Sequence, residues 1–156
     1  MTNFGALIRR LSSAGVEFVL IGGVAVLVHG HVRATLDLDV CYARTPENLE
    51  RLVAALGPIH PRLRGAPEGL PFFFDVQTLR NGLNFTLVTD DGDLDLLGEV
   101  TGVGGYADLA LQAVSTEVYG FSVKLISLDD LIRAKAAAGR PKDLLDLEAL
   151  RALKPR

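Results

Sequence analysis

The chain has 156 residues, of which 49% are hydrophobic and 22% are charged, and its formal net charge is -3 at pH 7. This length supports one hydrophobic core and is short for two, so we expect a single domain over residues 1–156. The composition excludes a wholly disordered chain. The acidic balance argues against a nucleic-acid binder that depends on broad positive potential and leaves a local basic patch open.

Cysteine content and hydropathy indicate the compartment. The lone Cys41 cannot form an internal disulfide, which is typical of a reducing environment. The most apolar early stretch, residues 16–28, is interrupted by Glu17 and is shorter than the ~20 residues of a spanning helix. The N-terminus does not have the pattern of a secretion signal. We therefore expect a cytoplasmic protein with no membrane partner.

The first quarter of the chain predicts a helix, a strand and a second helix. An opening helix is indicated by apolar residues at helical spacing, namely Phe4, Leu7, Ile8 and Leu11. The apolar run at residues 16–21 is typical of a buried strand. Gly22 and Gly23 then turn the chain into an apolar helix over residues 24–28. His29 ends that segment, and we expect a hydrogen-bonded structural role for it rather than a place in a site.

A second strand, predicted from Thr35 to Tyr42, carries two aspartates one residue apart. Because strand side chains alternate, Asp37 and Asp39 share one face, and the other face carries Leu36, Leu38 and Val40. Two crowded carboxylates raise each other's pKa unless a cation, a shared proton or bulk water offsets the repulsion. A divalent cation is the simplest solution, and a solvated strand end without metal is the alternative.

The middle of the chain predicts a helix, an irregular connection and a hairpin. Thr45 can cap a helix whose apolar stripe comprises Leu49, Leu52, Val53 and Leu56. Residues 57–71 are rich in proline and glycine and predict an irregular connection with Arg62 and Arg64 exposed. Phe72, Phe73 and Phe74 are expected in the core rather than as a base-stacking platform. Strands at residues 84–89 and 93–100 are joined by Asp90-Asp91-Gly92, a strong hairpin signal.

The last third predicts a second hairpin followed by two helices. A glycine-rich turn at residues 102–105 precedes a short helix over 106–111, and strands at 114–119 and 121–126 are split by Gly120. Ser127 can cap a helix that runs to about Ala138. Gly139-Arg140-Pro141 breaks this helix. A final helix over 142–153 is then predicted, with an apolar face made of Leu144, Leu145, Leu147 and Leu150.

The Gly22-Gly23 turn has a composition that suits a phosphate. Glycines let the backbone approach a ligand closely, and the helix that follows presents unpaired N–H groups and a positive dipole end. Many strand-to-helix turns use glycine for steric reasons only. Because the aspartate strand follows soon after, the two features together predict a site for a metal-bound triphosphate.

These segments resemble the nucleotidyltransferase superfamily of the DNA polymerase β type. The likeness rests on residues 19–25, on His29-Gly30 and on residues 33–39, and continues more loosely at 94–97, at Ala134-Lys135 and at 139–146. Within the superfamily, the chain is similar to small bacterial abortive-infection (AbiEii-like) proteins and to minimal nucleotidyltransferases of toxin-antitoxin pairs. The resemblance implies an α/β (α+β) nucleotidyltransferase fold, with a mixed sheet flanked by helices and C-terminal helices.

The resemblance also implies a metal site. It assigns Asp37 and Asp39 as ligands of catalytic Mg²⁺ or Mn²⁺ and predicts a third carboxylate on a neighbouring strand. Asp95 is the best candidate, and Asp93 has the same strand parity and stays an alternative. Two metal ions roughly 3.5–4 Å apart need more oxygen ligands than two carboxylates supply, and a third carboxylate could also act as a base.

Nucleotide contacts are implied for Gly22, Gly23, Arg33, Thr35, Lys135 and Lys142. Many superfamily members have serine after the first glycine, whereas Gly23 offers only a backbone N–H. Thr35 could supply a hydroxyl in its place, and Arg33 could reach phosphates. Lys135, Arg140 and Lys142 could neutralise the triphosphate. The alternative for Lys142 is ion pairing with Asp143 and Asp146 across a helix surface.

The expected activity is therefore Mg²⁺-dependent transfer of a nucleoside monophosphate from an NTP, most simply ATP, to a hydroxyl acceptor, with release of pyrophosphate (EC 2.7.7 type). RNA, a protein or a small molecule could be the acceptor. A toxin-antitoxin partner chain or a homodimer could complete the acceptor site. The alternative from another class is a non-catalytic nucleotide-binding or regulatory module on the same fold.

Overall fold

A computed structural model describes residues 1–155, and its centre is a seven-stranded sheet in the order β3-β4-β5-β2-β1-β9-β8. The strands are β1 (Phe18–Ile21), β2 (Asp37–Tyr42), β3 (Arg62–Leu63), β4 (Asn84–Thr89), β5 (Gly92–Leu97), β8 (Val114–Val118) and β9 (Phe121–Leu125). The short strands β6 (Glu99–Val100) and β7 (Gly104–Gly105) pair separately. β2 runs parallel to β5 and β1 runs parallel to β9, while the other neighbours are antiparallel. The sheet is therefore mixed, as predicted.

Helices flank this sheet. They are α1 (Phe4–Ser13), α2 (Gly22–His29), α3 (Pro46–Leu56), α4 (Val76–Asn81), α5 (Tyr106–Gln112), α6 (Leu128–Ala138) and α7 (Pro141–Leu153), with a 3-10 turn at Gly57–Ile59. The predicted caps are confirmed, because the Thr45 side chain accepts from the Asn48 N–H and the Ser127 side chain from the Asp130 N–H. Among residues 1–155, no helix has both the length and the apolarity to cross a membrane.

The two strands at the centre of the sheet follow the burial that their sequences predict. All four residues of β1 are buried. In β2, Leu38 and Val40 are fully buried, whereas Asp37 and Asp39 on the opposite face are half-buried. Leu36 precedes the strand and is 78% exposed, so its predicted place on the apolar face is wrong. The strand begins at Asp37, two residues later than predicted.

Two other packing predictions are partly wrong. Phe72 and Phe74 pack against the core, but Phe73 is exposed. On α7, Leu147 and Leu150 are buried, whereas Leu144 and Leu145 are exposed.

The inward face of α7 instead carries Asp143 and Asp146, which are buried among basic side chains.

The predicted structural role of His29 is confirmed. Its ring Nε2 forms a hydrogen bond of 2.7 Å with the Ile126 carbonyl oxygen.

Candidate active site

A cleft of about 660 Å³ opens between the sheet and the two C-terminal helices. The start of α2, the aspartate end of β2, β4, β5, α6 and the start of α7 all contribute to its wall. Every site residue predicted from the sequence lines this cleft: Gly22, Gly23, Arg33, Thr35, Asp37, Asp39, Asp95, Lys135 and Lys142. The fold thus brings the acidic and basic candidates, which are far apart in sequence, to one place.

Three carboxylates form a cluster on one wall of the cleft. The parallel register of β2 and β5 sets Asp37 beside Asp93 and Asp39 beside Asp95. One oxygen each from Asp37, Asp39 and Asp95 lies within 4.8 Å of the others. Within residues 1–155, Asp93 is outside this group of candidate metal-ligating atoms. The geometry therefore favours Asp95 over Asp93 as the third carboxylate.

The electrostatics of this cluster are compatible with a bound cation. Burial raises the pKa of Asp39 to about 8, and the nearby charges of Asp95 and Asp37 add to this. Burial is also the main cause that raises the pKa of Asp95. Oδ1 of Asp39 is buried and has no hydrogen-bond partner in the described part of the chain. Carboxylate oxygens are the ligands that Mg²⁺ prefers, so this donor set fits a divalent ion.

The Gly22 backbone lies against the cluster. Its φ of +68° belongs to the left-handed region that favours glycine, and a Cβ there would lie 1.9 Å from Oδ2 of Asp39. Helix α2 begins at this residue, and its N-cap residue, Ile21, makes no side-chain capping hydrogen bond. The first amides of the helix are thus left for another acceptor beside the carboxylates.

Gly22→Ala is expected to lower the free energy of unfolding by about 2 kcal/mol or more, from backbone strain and from the clash with Asp39. Gly120→Ala is the matched control, because Gly120 also has a positive φ (+83°) but nothing lies within 4 Å of its Cβ position. Urea unfolding of both variants measures the difference. Equal losses would show that the close approach to Asp39 costs nothing.

Position 23 has no room for a side chain because of Thr35. A Cβ on Gly23 would lie 2.5 Å from Oγ1 of Thr35 and 2.9 Å from its Cβ. The Thr35 hydroxyl, which donates a long hydrogen bond of 3.4 Å to the Asp37 carbonyl oxygen, thus fills the space beside the glycine turn. This geometry explains how the chain can place a hydroxyl next to the turn without a serine at position 23.

The opposite wall is basic and is organised by two buried carboxylates on α7. Asp146 accepts hydrogen bonds of 2.7 and 2.9 Å from Arg33 and lies 3.1 Å from Nζ of Lys135. Asp143 lies 3.2 Å from the same Nζ and accepts from Arg140. The three cations outnumber the two carboxylates, so the group keeps net positive charge towards the cleft.

Both α7 carboxylates are ionised in this setting. Burial raises the pKa of each, but for Asp146 the hydrogen bonds from Arg33 and Lys135 outweigh it, and the pKa falls below its ordinary value. For Asp143, the hydrogen bonds from Arg140 and Lys135 likewise outweigh burial and lower the pKa. The alternative for Lys142, ion pairing with these carboxylates, is not found, because within residues 1–155 Lys142 makes no ion pair and is exposed at the rim of the cleft.

Arg64 is the site residue that sequence reasoning missed. It was expected to be exposed, but its side chain is only 29% exposed and reaches the acidic cluster. Its guanidinium nitrogens lie 2.9 Å from Asp95, 3.5 Å from Asp93 and 3.7 Å from Asp37. Residues 57–71 show no periodic pattern, so nothing in that segment indicated which of its arginines turns inward.

Comparisons with known proteins show the fold. No protein-family model matches the chain, and no curated protein matches it. The solved structures that match include the lincosamide antibiotic adenylyltransferase LnuA with bound lincomycin, at a TM-score of 0.63 and 14% identity, covering 98% of this chain and 99% of that one. A proposed nucleotidyltransferase from Thermotoga maritima matches at a TM-score of 0.58 and 15% identity, with coverage of 95% and 89%.

A third structure, ANT(2")-Ia in complex with adenylyl-2"-tobramycin, matches at a TM-score of 0.51 and 13% identity, covering 94% of each chain. At such low identities the likeness concerns the fold. The chain has the α/β fold of nucleotidyltransferases, with a mixed sheet flanked by helices. The predicted fold class is confirmed.

Proposed function

We propose that this protein is a Mg²⁺-dependent nucleotidyltransferase that moves a nucleoside monophosphate from an NTP, most simply ATP, to a hydroxyl acceptor. One observation carries the proposal: three carboxylates with oxygens within 4.8 Å of one another share a cleft with an uncapped helix start and a basic wall. A metal-bound triphosphate needs both a ligand set for the cation and positive partners for its phosphates.

Each wall has a distinct role in the proposed reaction. Asp37, Asp39 and Asp95 would hold the divalent ion, which when bound draws charge from the triphosphate and lowers the pKa of the attacking hydroxyl. The amides at Gly22 and Gly23 bind phosphate oxygens, and the Thr35 hydroxyl lies beside them. The phosphates that will leave as pyrophosphate face the basic wall, formed by Arg33, Lys135, Arg140 and Lys142.

The proposed reaction is a single displacement at the α-phosphorus of the NTP. The acceptor oxygen forms a bond to the α-phosphorus, and the bond from that phosphorus to the bridging oxygen of the β-phosphate breaks. The electron pair leaves with pyrophosphate, and the acceptor proton passes to a carboxylate of the cluster, for which Asp95 is the candidate. Asp95 lines the cleft together with Asp37 and Asp39, as a carboxylate that accepts this proton must.

A small-molecule acceptor is favoured over RNA or a protein. The volume of the cleft, about 660 Å³, falls in the ordinary range for small-ligand sites, roughly 300–1,000 Å³. Away from the charged walls its lining is apolar and includes Phe85, Val100 and Leu131. Two of the matching structures hold an antibiotic or its adenylylated product. The net charge of -3 also disfavours RNA.

The second candidate is a non-catalytic nucleotide-binding or toxin-antitoxin regulatory module. The ion pairs of Arg64 with the carboxylates favour it, because a guanidinium already supplies positive charge to the cluster. An AbiEii-like role, a partner chain or homodimer, a cytoplasmic location and a single domain over residues 1–156 remain predictions from the sequence.

The test is incubation of the purified protein with each α-labelled NTP, Mg²⁺ and three separate acceptor pools: hydroxylated antibiotics, bulk RNA and lysate protein. We expect label in a small molecule, with one pyrophosphate released per transfer and no reaction in EDTA. Glu117→Gln, an exposed substitution on β8, should behave like the parent. Nucleotide binding without label in any pool would favour the regulatory module, and a protein that binds neither nucleotide nor divalent ion would refute the proposal.

A further inference from the structure

Arg64 is fixed beside the acidic cluster by its own backbone and by β4. Its backbone N–H donates to the Thr86 carbonyl oxygen at 2.9 Å, directly after the β3 pairing with β4. Its Nη2 donates to the Leu87 carbonyl oxygen at 2.8 Å. The guanidinium is therefore held over the strand next to β5, where Asp93 and Asp95 lie. The position of the guanidinium is therefore set by these hydrogen bonds to β4.

Arg64 interacts with the carboxylates through ion pairs and not through aligned hydrogen bonds. Nη2 lies 2.9 Å from Oδ1 of Asp95, yet that oxygen has no hydrogen-bond partner of acceptable geometry in the described chain. Nε of Arg64 likewise lies 3.5 Å from Asp93 and makes no hydrogen bond. The only aligned hydrogen bond of the guanidinium within residues 1–155 goes to the Leu87 carbonyl. With respect to the carboxylates, the guanidinium thus serves as a cation and not as a hydrogen-bonding fork.

The Arg64 guanidinium lies close to one side of the acidic cluster and leaves the other side without a cation. Asp37, Asp93 and Asp95 are each within 4.0 Å of an Arg64 nitrogen, but in the described chain Asp39 has no ion pair. Asp39 also carries the buried Oδ1 without a partner and lies against the Gly22 backbone. The open side therefore faces the glycine turn, and Asp37 and Asp95 border both sides.

We propose that Arg64 occupies one of two cation positions in this cluster, so that the nucleotide-free protein binds one divalent ion, on the Asp39 side. This inference rests on the proposed function, which assigns a divalent ion to these carboxylates, and deepens it by giving the number of ions. Removal of the guanidinium opens a second position, bordered by Asp37 and Asp95.

Charge balance supports one ion beside the guanidinium. Four aspartates with Arg64 and one divalent ion keep a single net negative charge. A second divalent ion next to the guanidinium would make the group net positive and would bring two cations within a few Å of each other. At that separation like charges repel each other strongly unless water or carboxylates screen them. Arg64 is thus a positioning residue, which acts through Asp37 and Asp95.

The test is titration of the nucleotide-free full chain with Mn²⁺, followed by electron paramagnetic resonance. The parent should bind one Mn²⁺ with an uncoupled signal. Arg64→Gln should bind two, with the line broadening and signal loss of a spin-coupled pair, and its first Mn²⁺ should bind about tenfold more tightly. Arg64→Lys keeps the charge and should bind one. Arg62→Ala, at the exposed arginine on β3 two residues before Arg64, is the matched control and should also bind one.

Two outcomes overturn the inference alone: two Mn²⁺ ions bound by the parent, or a single ion bound by folded Arg64→Gln as in the parent. The parent stoichiometry is decisive even if Arg64→Gln does not fold. If neither the parent nor Arg64→Gln binds Mn²⁺, the metal assignment of the proposed function fails as well. The assay thus separates the two failures without relying on catalytic activity.

Discussion

Asp39→Asn is expected to lower nucleotidyl transfer by about a thousandfold or more, with the fold intact. Asp39 contributes an oxygen to the three-carboxylate cluster and has the buried Oδ1 that lacks a partner. An asparagine keeps the shape and loses the charge that would hold the cation. A metal ion contributes several kcal/mol of transition-state stabilisation, and about 4 kcal/mol corresponds to a thousandfold change in rate. The measurement is the labelled-NTP assay with saturating Mg²⁺.

The stability of the same variant without metal has a predictable pH dependence. In the folded protein, burial and then Asp95 and Asp37 raise the pKa of Asp39 from 3.8 to about 8. A carboxyl whose pKa is higher when folded stabilises the fold in its protonated form. That contribution is fully present below about pH 4 and is lost as the pH rises to about 8. In EDTA, the parent should lose stability over this range, and Asp39→Asn should lose less.

The expected difference between the two proteins at pH 8 is on the order of a few kcal/mol, measured by urea unfolding in EDTA. Asp129→Asn is the control, because this carboxylate is 70% exposed and its ion pair with Lys154 lies on the surface. It should leave both activity and the pH profile unchanged. Transfer at the parental rate by Asp39→Asn would remove Asp39 from the metal-binding set.

The elements of the acidic cluster were predictable because their signals are local. Alternation along β2 puts Asp37 and Asp39 on one face, and the Asp90-Asp91-Gly92 turn specifies the β4–β5 hairpin. The parallel pairing of β2 with β5 has no local signal, since the strands are about fifty residues apart in the chain. That register sets Asp39 beside Asp95. The sequence therefore favoured Asp95 but kept Asp93 as an alternative.

The rotation of α7 could not be predicted from its leucines. Leu144 and Leu145 are exposed, and Asp143 and Asp146 occupy the buried face. Exposing a leucine forfeits roughly 1.5–3 kcal/mol, whereas a buried charge left without its partner costs roughly 3–5 kcal/mol. The partners of these carboxylates come from α6, from the segment before β2 and from Arg140, the residue that precedes α7. Because Lys135 is nearly buried, leaving its charge without these carboxylates would cost more free energy than exposing Leu144 and Leu145 does.

Arg64 shows a different limit of sequence reasoning. A segment rich in proline and glycine has no helical or strand period from which burial can be inferred. Its two arginines have similar surroundings in sequence, yet Arg62 is exposed and Arg64 reaches the carboxylates. The difference arises from the short β3 pairing, which ends at Leu63 and directs the next residue along β4.

Asp146→Asn is expected to lower the free energy of unfolding by about 3 kcal/mol and the melting temperature by about 6–12 °C. The Asp146 side chain is only 2% exposed and is shared by Arg33 and Lys135. Its loss leaves both cations short of counter-charge. Glu148→Gln, on an exposed position of the same helix, is the matched control and should change neither quantity. Calorimetry and urea unfolding measure the effect.

The same variant also tests whether Arg33 and Lys135, which Asp146 holds, bind the nucleotide or only stabilise the fold. If Asp146 holds Arg33 and Lys135 towards the phosphates, Asp146→Asn should raise KM for the NTP severalfold, while kcat falls less. The measurement is made at a temperature where unfolding data show the variant to be folded. A lowered melting temperature with an unchanged KM would mean that these cations serve only the packing of α7. The positive side of the cleft would then be reduced to Arg140 and Lys142, which lie at its rim.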